Sequence, residues 1–217
     1  MNKGVQFWLD SWREGHIPFH KLRVNQDLVS FWPALEVCPR STVLVPLCGK
    51  SLDMLWLLSQ GYHVIGMELS EQAVLQFFQE NQLTYTVNSS CYQAEHLTIW
   101  VGDIFTFDSS CLPPIDAVYD NAALIALPHK LRALYASLCL NWLKPEGAIL
   151  LKTIHCSSGN LSGPPYNVTE EEIGLIYPNC TISSLKKLTR EHQIGTVVES
   201  ADLEITDEYV WRINKIG

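Results

Sequence analysis

The sequence is poor in positive charge, in glycine at the one turn that looks built for a ligand, and in paired cysteines. Lysine and arginine together number 15 against 23 acidic residues, a formal net charge of −8. No basic cluster offsets that balance, which argues against a nucleic-acid backbone as partner. The seven cysteines (38, 48, 91, 111, 139, 156 and 180) include no CxxC pair and no Cys/His ligand spacing, so no structural metal is expected. Several lie inside apolar runs, where a free cysteine behaves as a small hydrophobe. Long apolar runs are missing too. Asp10, Arg13 and Glu14 interrupt the N-terminal apolar residues, so neither a signal peptide nor a spanning segment is expected. Internal repeats, linkers and low-complexity tracts are absent. What is there is globular: 47% hydrophobic and 18% charged residues in 217 positions, enough for one well-buried domain. The expectation is a single domain over 1–217, reduced, cytoplasmic and monomeric, with no membrane partner.

The chain is organised around Thr42-Val43-Leu44-Val45-Pro46-Leu47-Cys48-Gly49-Lys50-Ser51 and the helical pattern Leu52, Leu55, Trp56, Leu57, Leu58 that follows. A buried β-branched run, a tight turn and a helix N-terminus make the entry to a ligand-binding α/β fold, with the ligand beyond the strand's carboxyl end. A second buried run, His63 to Met67, stops at Glu68, an acid placed to accept hydrogen bonds from a ribose diol. A P-loop would need a glycine five residues before Gly49, where Leu44 stands. A dinucleotide fingerprint would need three glycines, and this turn has one, with Pro46 and Leu47 in place of small residues. A nucleoside without phosphates remains, and S-adenosylmethionine is such a ligand. On this pattern alone the ordinary βαβ unit, with Glu68 as a solvated strand end, stands level with the ligand reading.

Elsewhere the sequence predicts a first helix over residues 5–14, with Trp8 and Trp12 as i,i+4 partners, stopped by Gly15. Burial habits favour packing for that tryptophan pair over a lid that stacks on a ligand. A second helix runs from an Asn25 cap to about Leu35. Ser70 opens a helix with Val74, Leu75, Phe77 and Phe78 on its buried side, and residues 84–95 read as polar and irregular. His96–Val101 is a third strand ending at Gly102-Asp103, an acid suited either to the adenine amine or to capping the next turn. Ile115–Tyr119 is a fourth, running into Asp120-Asn121. The following helix carries Leu131, Leu134, Tyr135 and Leu138, Leu143–Gly147 is a turn and Ala148–Thr153 a fifth strand. This alternation predicts a doubly wound α/β fold with a parallel sheet. Ser157–Pro165 reads as a loop, Thr169-Glu170-Glu171-Glu172 as a helix start, and Thr181–Leu188 with Asp202–Ile213 as a closing antiparallel pair.

Taken together, Trp8-Leu9-Asp10-Ser11-Trp12 with Gly15 and Phe19-His20, Pro46-Leu47-Cys48-Gly49-Lys50, Glu68-Leu69-Ser70, Asp120 with Ala123-Leu124, and Gly163-Pro164-Pro165-Tyr166 resemble the thiopurine S-methyltransferases in their short bacterial form. The resemblance covers nearly the whole chain. It implies a class I S-adenosylmethionine-dependent methyltransferase fold: a mostly parallel seven-stranded sheet with an antiparallel C-terminal strand and a helical lid over residues 1–40. It further implies that Trp8 and Trp12 cover the cofactor and that Leu47 faces its methionyl part. Glu68 would hold the ribose, and Asp103 with Ile104 would flank the adenine. Phe19 and His20 would belong to the acceptor pocket, with Arg190 as a second acceptor residue. Asn121 stands where the family usually has arginine.

The activity implied is methyl transfer to the sulfur of small aromatic or heterocyclic thiols, with selenium or tellurium species as further acceptors. Aromatic thiols ionise readily, so alignment and exclusion of water can supply most of the effect. His20 is the candidate if a base is used; an exposed loop histidine is the plainer reading. Two alternatives stand beside this: a nicotinamide-dependent oxidoreductase, disfavoured by the missing glycines, and a cofactor-binding protein whose acceptor chemistry was altered or lost with the arginine at 121.

Overall fold

The structure, a computed structural model, describes residues 3–156, 163–193 and 203–216. The chain forms two compact units, Met1–Tyr119 and Asp120–Gly217.

Local side-chain chemistry sets the helix ends of the first unit. Helix α1 (Lys3–Glu14) runs to Gly15. Helix α2 (Gln26–Phe31) is capped by the Asn25 side chain, which accepts the Asp27 N–H. It ends earlier than its apolar pattern predicts, because Pro33 turns Trp32–Leu35 into a 3-10 turn. Strand β1 (Thr42–Pro46), helix α3 (Asp53–Ser59), strand β2 (His63–Glu68) and helix α4 (Glu71–Glu80) follow, α4 capped by Ser70 as expected. Buried Asp53 accepts hydrogen bonds from the Asn25 N–H and the Tyr119 hydroxyl, both at 2.8 Å, and so ties the segment before α2 to the sheet.

The polar stretch expected to be irregular is in fact a hairpin of β3 (Thr86–Asn88) and β4 (Cys91–Ala94). Its reason is aromatic. Tyr85 and Tyr92 pack on Phe78 of α4 with ring centroids at 4.5 and 6.2 Å, giving a polar segment one apolar anchor face. Strands β5 (Leu97–Val101) and β6 (Ile115–Asn121) complete the order β3-β4-β5-β2-β1-β6. Pairs β1–β2, β2–β5 and β1–β6 are parallel, while β3–β4 and β4–β5 are antiparallel.

In the second unit, β6 runs out into helix α5 (Ala123–Ala126), then α6 (His129–Trp142), strand β7 (Leu143–Cys156), helix α7 (Glu170–Ile176) and strands β8 (Cys180–Gln193) and β9 (Leu203–Lys215). The order is β7-β9-β8, antiparallel throughout, as the alternating tail predicts. The connection between the last two strands, and most of the Ser157–Pro165 loop, lie outside the described residues. Residues 143–147 belong to β7 and are not a separate turn, though Glu146 keeps a positive φ of 63°. Nine strands are thus described where seven were expected, the hairpin supplying the two extra.

Helix α6 corrects the expected burial. It turns Arg132, Tyr135, Ala136 and Cys139 inward and leaves Leu134 exposed. Arg132 is satisfied completely enough to sit there. Its Nε donates to the Leu127 carbonyl, and its Nη1 to the Asn167 carbonyl and both Glu172 oxygens, at 2.7–2.9 Å. Among the described residues no helix is long and apolar enough to cross a membrane.

Candidate active site

Register brings the expected ligand-side residues to one level. Pro46 pairs with Met67, and Glu68 with Val101, so the turn after β1, the end of β2 and the Gly102-Asp103 corner after β5 lie side by side at the carboxyl ends of parallel strands. The turn itself is unusual. Leu47, not a glycine, takes a positive φ of 48°, a conformation that costs about 1 kcal/mol and gathers at functional sites. Gly49 follows at φ 51°. A Cβ there would stand 3.1 Å from Trp12 Cζ2, so the glycine lets the indole lie on the turn.

Glu68 is the centre of the arrangement. Its side chain is buried, and its oxygens accept the Gly49 N–H and the Ser70 N–H, each at 2.8 Å. Burial raises its pKa, and these backbone donors pull it part of the way back. No lysine, arginine or histidine pairs with it among the described residues. The Leu69 N–H is a third backbone donor acting on it, and of the roughly four acceptor positions of a carboxylate the remaining capacity is open to a ligand hydroxyl. Cys48 lies alongside: its N–H donates to the Met67 carbonyl, and its buried thiol is pushed well above the ordinary range by burial and then by Glu68. Gly66 makes room for it, since a Cβ there would come within 2.8 Å of the Cys48 sulfur.

The N-terminal residues divide. Trp12 is buried at 3% exposure against Gly49, whereas Trp8 is half-buried. Phe19 meets both edge-on, with centroids 5.4 and 5.6 Å away, and is itself 41% exposed. Trp12 thus packs on the turn, while Trp8, Phe19 and Phe7 keep free surface. His20, part-buried beside them, titrates below the usual range because burial and then the Lys50 ammonium disfavour its cation. Ile104 is buried, and Asp103 uses Oδ1 to accept the Phe105 N–H at 3.0 Å, so the turn-capping role is present whatever else the residue does.

Sequence reasoning gave no part to Lys50. It is nine-tenths buried, and its Nζ lies 2.6 Å from Glu80 Oε1 at the end of α4.

In the second unit, Asp120 is fully enclosed. Oδ1 accepts the Ala123 and Leu124 N–H groups at 3.0 and 3.1 Å, and Oδ2 accepts the Tyr135 hydroxyl at 2.6 Å. Burial pushes its carboxyl up to about 6 despite those donors. Asn121 ends β6 half-buried, and Ala122 after it turns at φ 74°. Arg190 lies exposed on β8 with its Nε 2.9 Å from Glu208 Oε1 on β9. His155 is half-buried near the end of β7. The backbone of Cys156, next to it, is clamped both ways by the Asn167 side chain.

The family model described as Thiopurine S-methyltransferase matches residues 3–216. The chain belongs to this family. A thiopurine S-methyltransferase of Legionella pneumophila subsp. pneumophila (strain Philadelphia 1) is 47% identical over 220 residues, covering 99% of this chain and all of that one. Another from Bordetella petrii is 42% identical over 219 residues, covering 98% and 99%. Among solved structures, an S-adenosylmethionine-dependent methyltransferase from Anabaena variabilis superposes with a TM-score of 0.64 at 16% identity, covering 97% of this chain and 94% of its own. Magnesium protoporphyrin IX methyltransferase from Synechocystis PCC 6803, solved with bound S-adenosylmethionine, gives 0.61 at 16%, covering 97% and 98%. At that identity the likeness speaks for the fold, which is the class I, doubly wound methyltransferase fold. Membership of the thiopurine S-methyltransferase family makes the chain an S-adenosylmethionine-dependent methyltransferase.

Proposed function

We propose that the protein transfers the methyl group of S-adenosylmethionine to the sulfur of a small aromatic or heterocyclic thiol. The observation that carries this is Glu68, a buried carboxylate at a strand end, held by backbone N–H groups alone and beside a turn with no glycine cradle for phosphate. The residues fit a nucleoside: remaining acceptor capacity on Glu68 for the ribose, buried Ile104 for a flat base, and Leu47 for the thioether arm.

When bound, the cofactor supplies a sulfonium-activated methyl group. Glu68 fixes the ribose and thereby the direction in which that methyl points. Trp8 covers the cofactor and Phe19, edge-on to it, covers the acceptor, and together they keep water out. His20 is the candidate acceptor of the thiol proton, a weaker base than an ordinary histidine because burial and then Lys50 disfavour its cation. From the resemblance, Asn121 is carried over as a cofactor-binding position whose family arginine also serves the acceptor, and Arg190 as an acceptor-side position. All seven cysteines are free thiols, which supports a reducing, cytoplasmic setting.

The second reading, a cofactor-binding protein with lost or altered acceptor chemistry, is favoured by Asn121 in place of arginine. Calorimetric titration with S-adenosylhomocysteine, followed by transfer of radiolabelled methyl onto a panel of aryl thiols, thiopurines, selenols and tellurium compounds, separates the two. Binding with turnover of an aryl thiol supports the proposal, and binding without turnover of any acceptor favours the second reading. Absence of binding sinks both.

A further inference from the structure

We propose that Lys50 and Glu80 are positioning residues for Glu68, their ion pair closing a frame that holds the Gly49 and Ser70 N–H donors of that carboxylate in place. The inference rests on the cofactor reading above and adds two residues to it.

The frame can be traced atom by atom. Glu68 Oε2 accepts the Gly49 N–H, and the next residue is Lys50. Lys50 Nζ reaches Glu80 Oε1 at 2.6 Å, across 30 positions of sequence. Glu80 is the last residue of the ten-residue helix α4, and Ser70 caps the first turn of that helix. The Ser70 N–H then returns to Glu68 Oε1. A helix of this length is a rod of about 15 Å. Gripping its far end from the turn therefore fixes the direction in which its near end offers a donor.

The burial is lopsided. Lys50 is 9% exposed and Glu80 49%. Lysine is seldom buried so deeply unless paired, and a half-hydrated carboxylate repays only part of that cost. An ion pair that merely decorated the surface would have left the lysine in water. Trp12 also packs on Gly49, so the turn carries an indole as well as the tie to the end of a helix. The frame leaves the Glu68 lone pairs pointing in a set direction before any ligand arrives.

The test uses Lys50→Met, which keeps the stem and removes the charge, Glu80→Gln, and the double variant. Each single variant is expected to weaken S-adenosylhomocysteine binding about tenfold, with the double variant no worse than either single, because one tie is lost in all three. The readout independent of cofactor is the Glu68 carboxyl, followed by carbon NMR in the unliganded protein. Loosened N–H donors hold the carboxylate less well, so its titration should move upward in both single variants. Unchanged affinity and unchanged Glu68 titration with a lowered melting temperature would make the pair structural only and overturn the proposal. Losses that add in the double variant would overturn it as well. If the wild-type protein binds no S-adenosylhomocysteine, the cofactor reading fails by itself, and the Glu68 titration still decides whether the frame exists.

Discussion

Replacing Glu68 is the sharpest perturbation of the proposed site. Two ribose hydroxyls on one carboxylate are charge-assisted bonds, each contributing about 1.5–3 kcal/mol in protein settings. Burial already disfavours the charged form of this group, as its raised pKa records, so part of that gain is offset. A net loss of about 3 kcal/mol follows for Glu68→Ala, which is about a hundredfold in Kd for S-adenosylhomocysteine. Glu68→Gln should lose about tenfold. The amide keeps one oxygen acceptor, but its NH2 then confronts either the Gly49 or the Ser70 N–H, both of which now point at carboxylate oxygens. The fold should survive. Alanine opens space for water to reach the two orphaned N–H groups, so the stability cost should stay near 1–2 kcal/mol, a fall of about 2–8 °C in Tm. Calorimetry for affinity and a thermal melt for stability are run on the same preparations. A folded Glu68→Ala protein that binds the cofactor product as tightly as wild type would remove Glu68 from the site and take the central observation away.

Three further outcomes are expected. Trp8 is the tryptophan of α1 with free surface, so the difference in cofactor-induced fluorescence between wild type and Trp8→Phe should carry the lid signal, and ligand should protect the segment from proteolysis; equal protection with and without ligand would make Trp8 core. Asn121→Arg should raise kcat/KM for anionic thiopurines or thiobenzoates more than for neutral aryl thiols, since it restores a permanent cation, while cofactor affinity stays near its wild-type value; no change of preference in paired kinetics would refute this. Asp120 titrates in the folded protein near 6 instead of 3.8, so its favourable contribution is present below the unfolded value and is lost as pH rises through about 6, by up to about 3 kcal/mol. Asp120→Asn can keep the Ala123, Leu124 and Tyr135 hydrogen bonds, so urea unfolding across that interval should show its stability flat where wild type falls, and parallel curves would contradict the reasoning.

What could be read from the sequence was local. Caps at Asn25, Ser70 and Thr169 each depend on a side chain and an N–H two or three residues away, and all three are present. Strand-end Glu68 was legible because an apolar run must stop somewhere and its stop was acidic. The illegible parts are polar contacts between distant positions. Arg132 looks like a surface residue until Glu172, 40 positions on, takes it in. Lys50 needs Glu80 in the same way. Apolar periodicity carries no information about such partners, and it misjudged α6 for that reason. The β3–β4 hairpin escaped because its anchor, Phe78, belongs to a different element.

The high pKa of Cys48 bears on chemical safety. A protein proposed to present an activated methyl to sulfur nucleophiles carries a sulfur of its own in the turn that the cofactor is proposed to face. Reaction with an electrophile needs the thiolate, and burial together with the neighbouring Glu68 charge keeps this sulfur protonated. It lies in the space that Gly66 leaves by having no side chain. The same burial that makes Glu68 reluctant to ionise thus guards the catalyst against alkylating itself, and it leaves Cys38 and Cys111, the exposed thiols, as the positions where a label can be attached without entering the site.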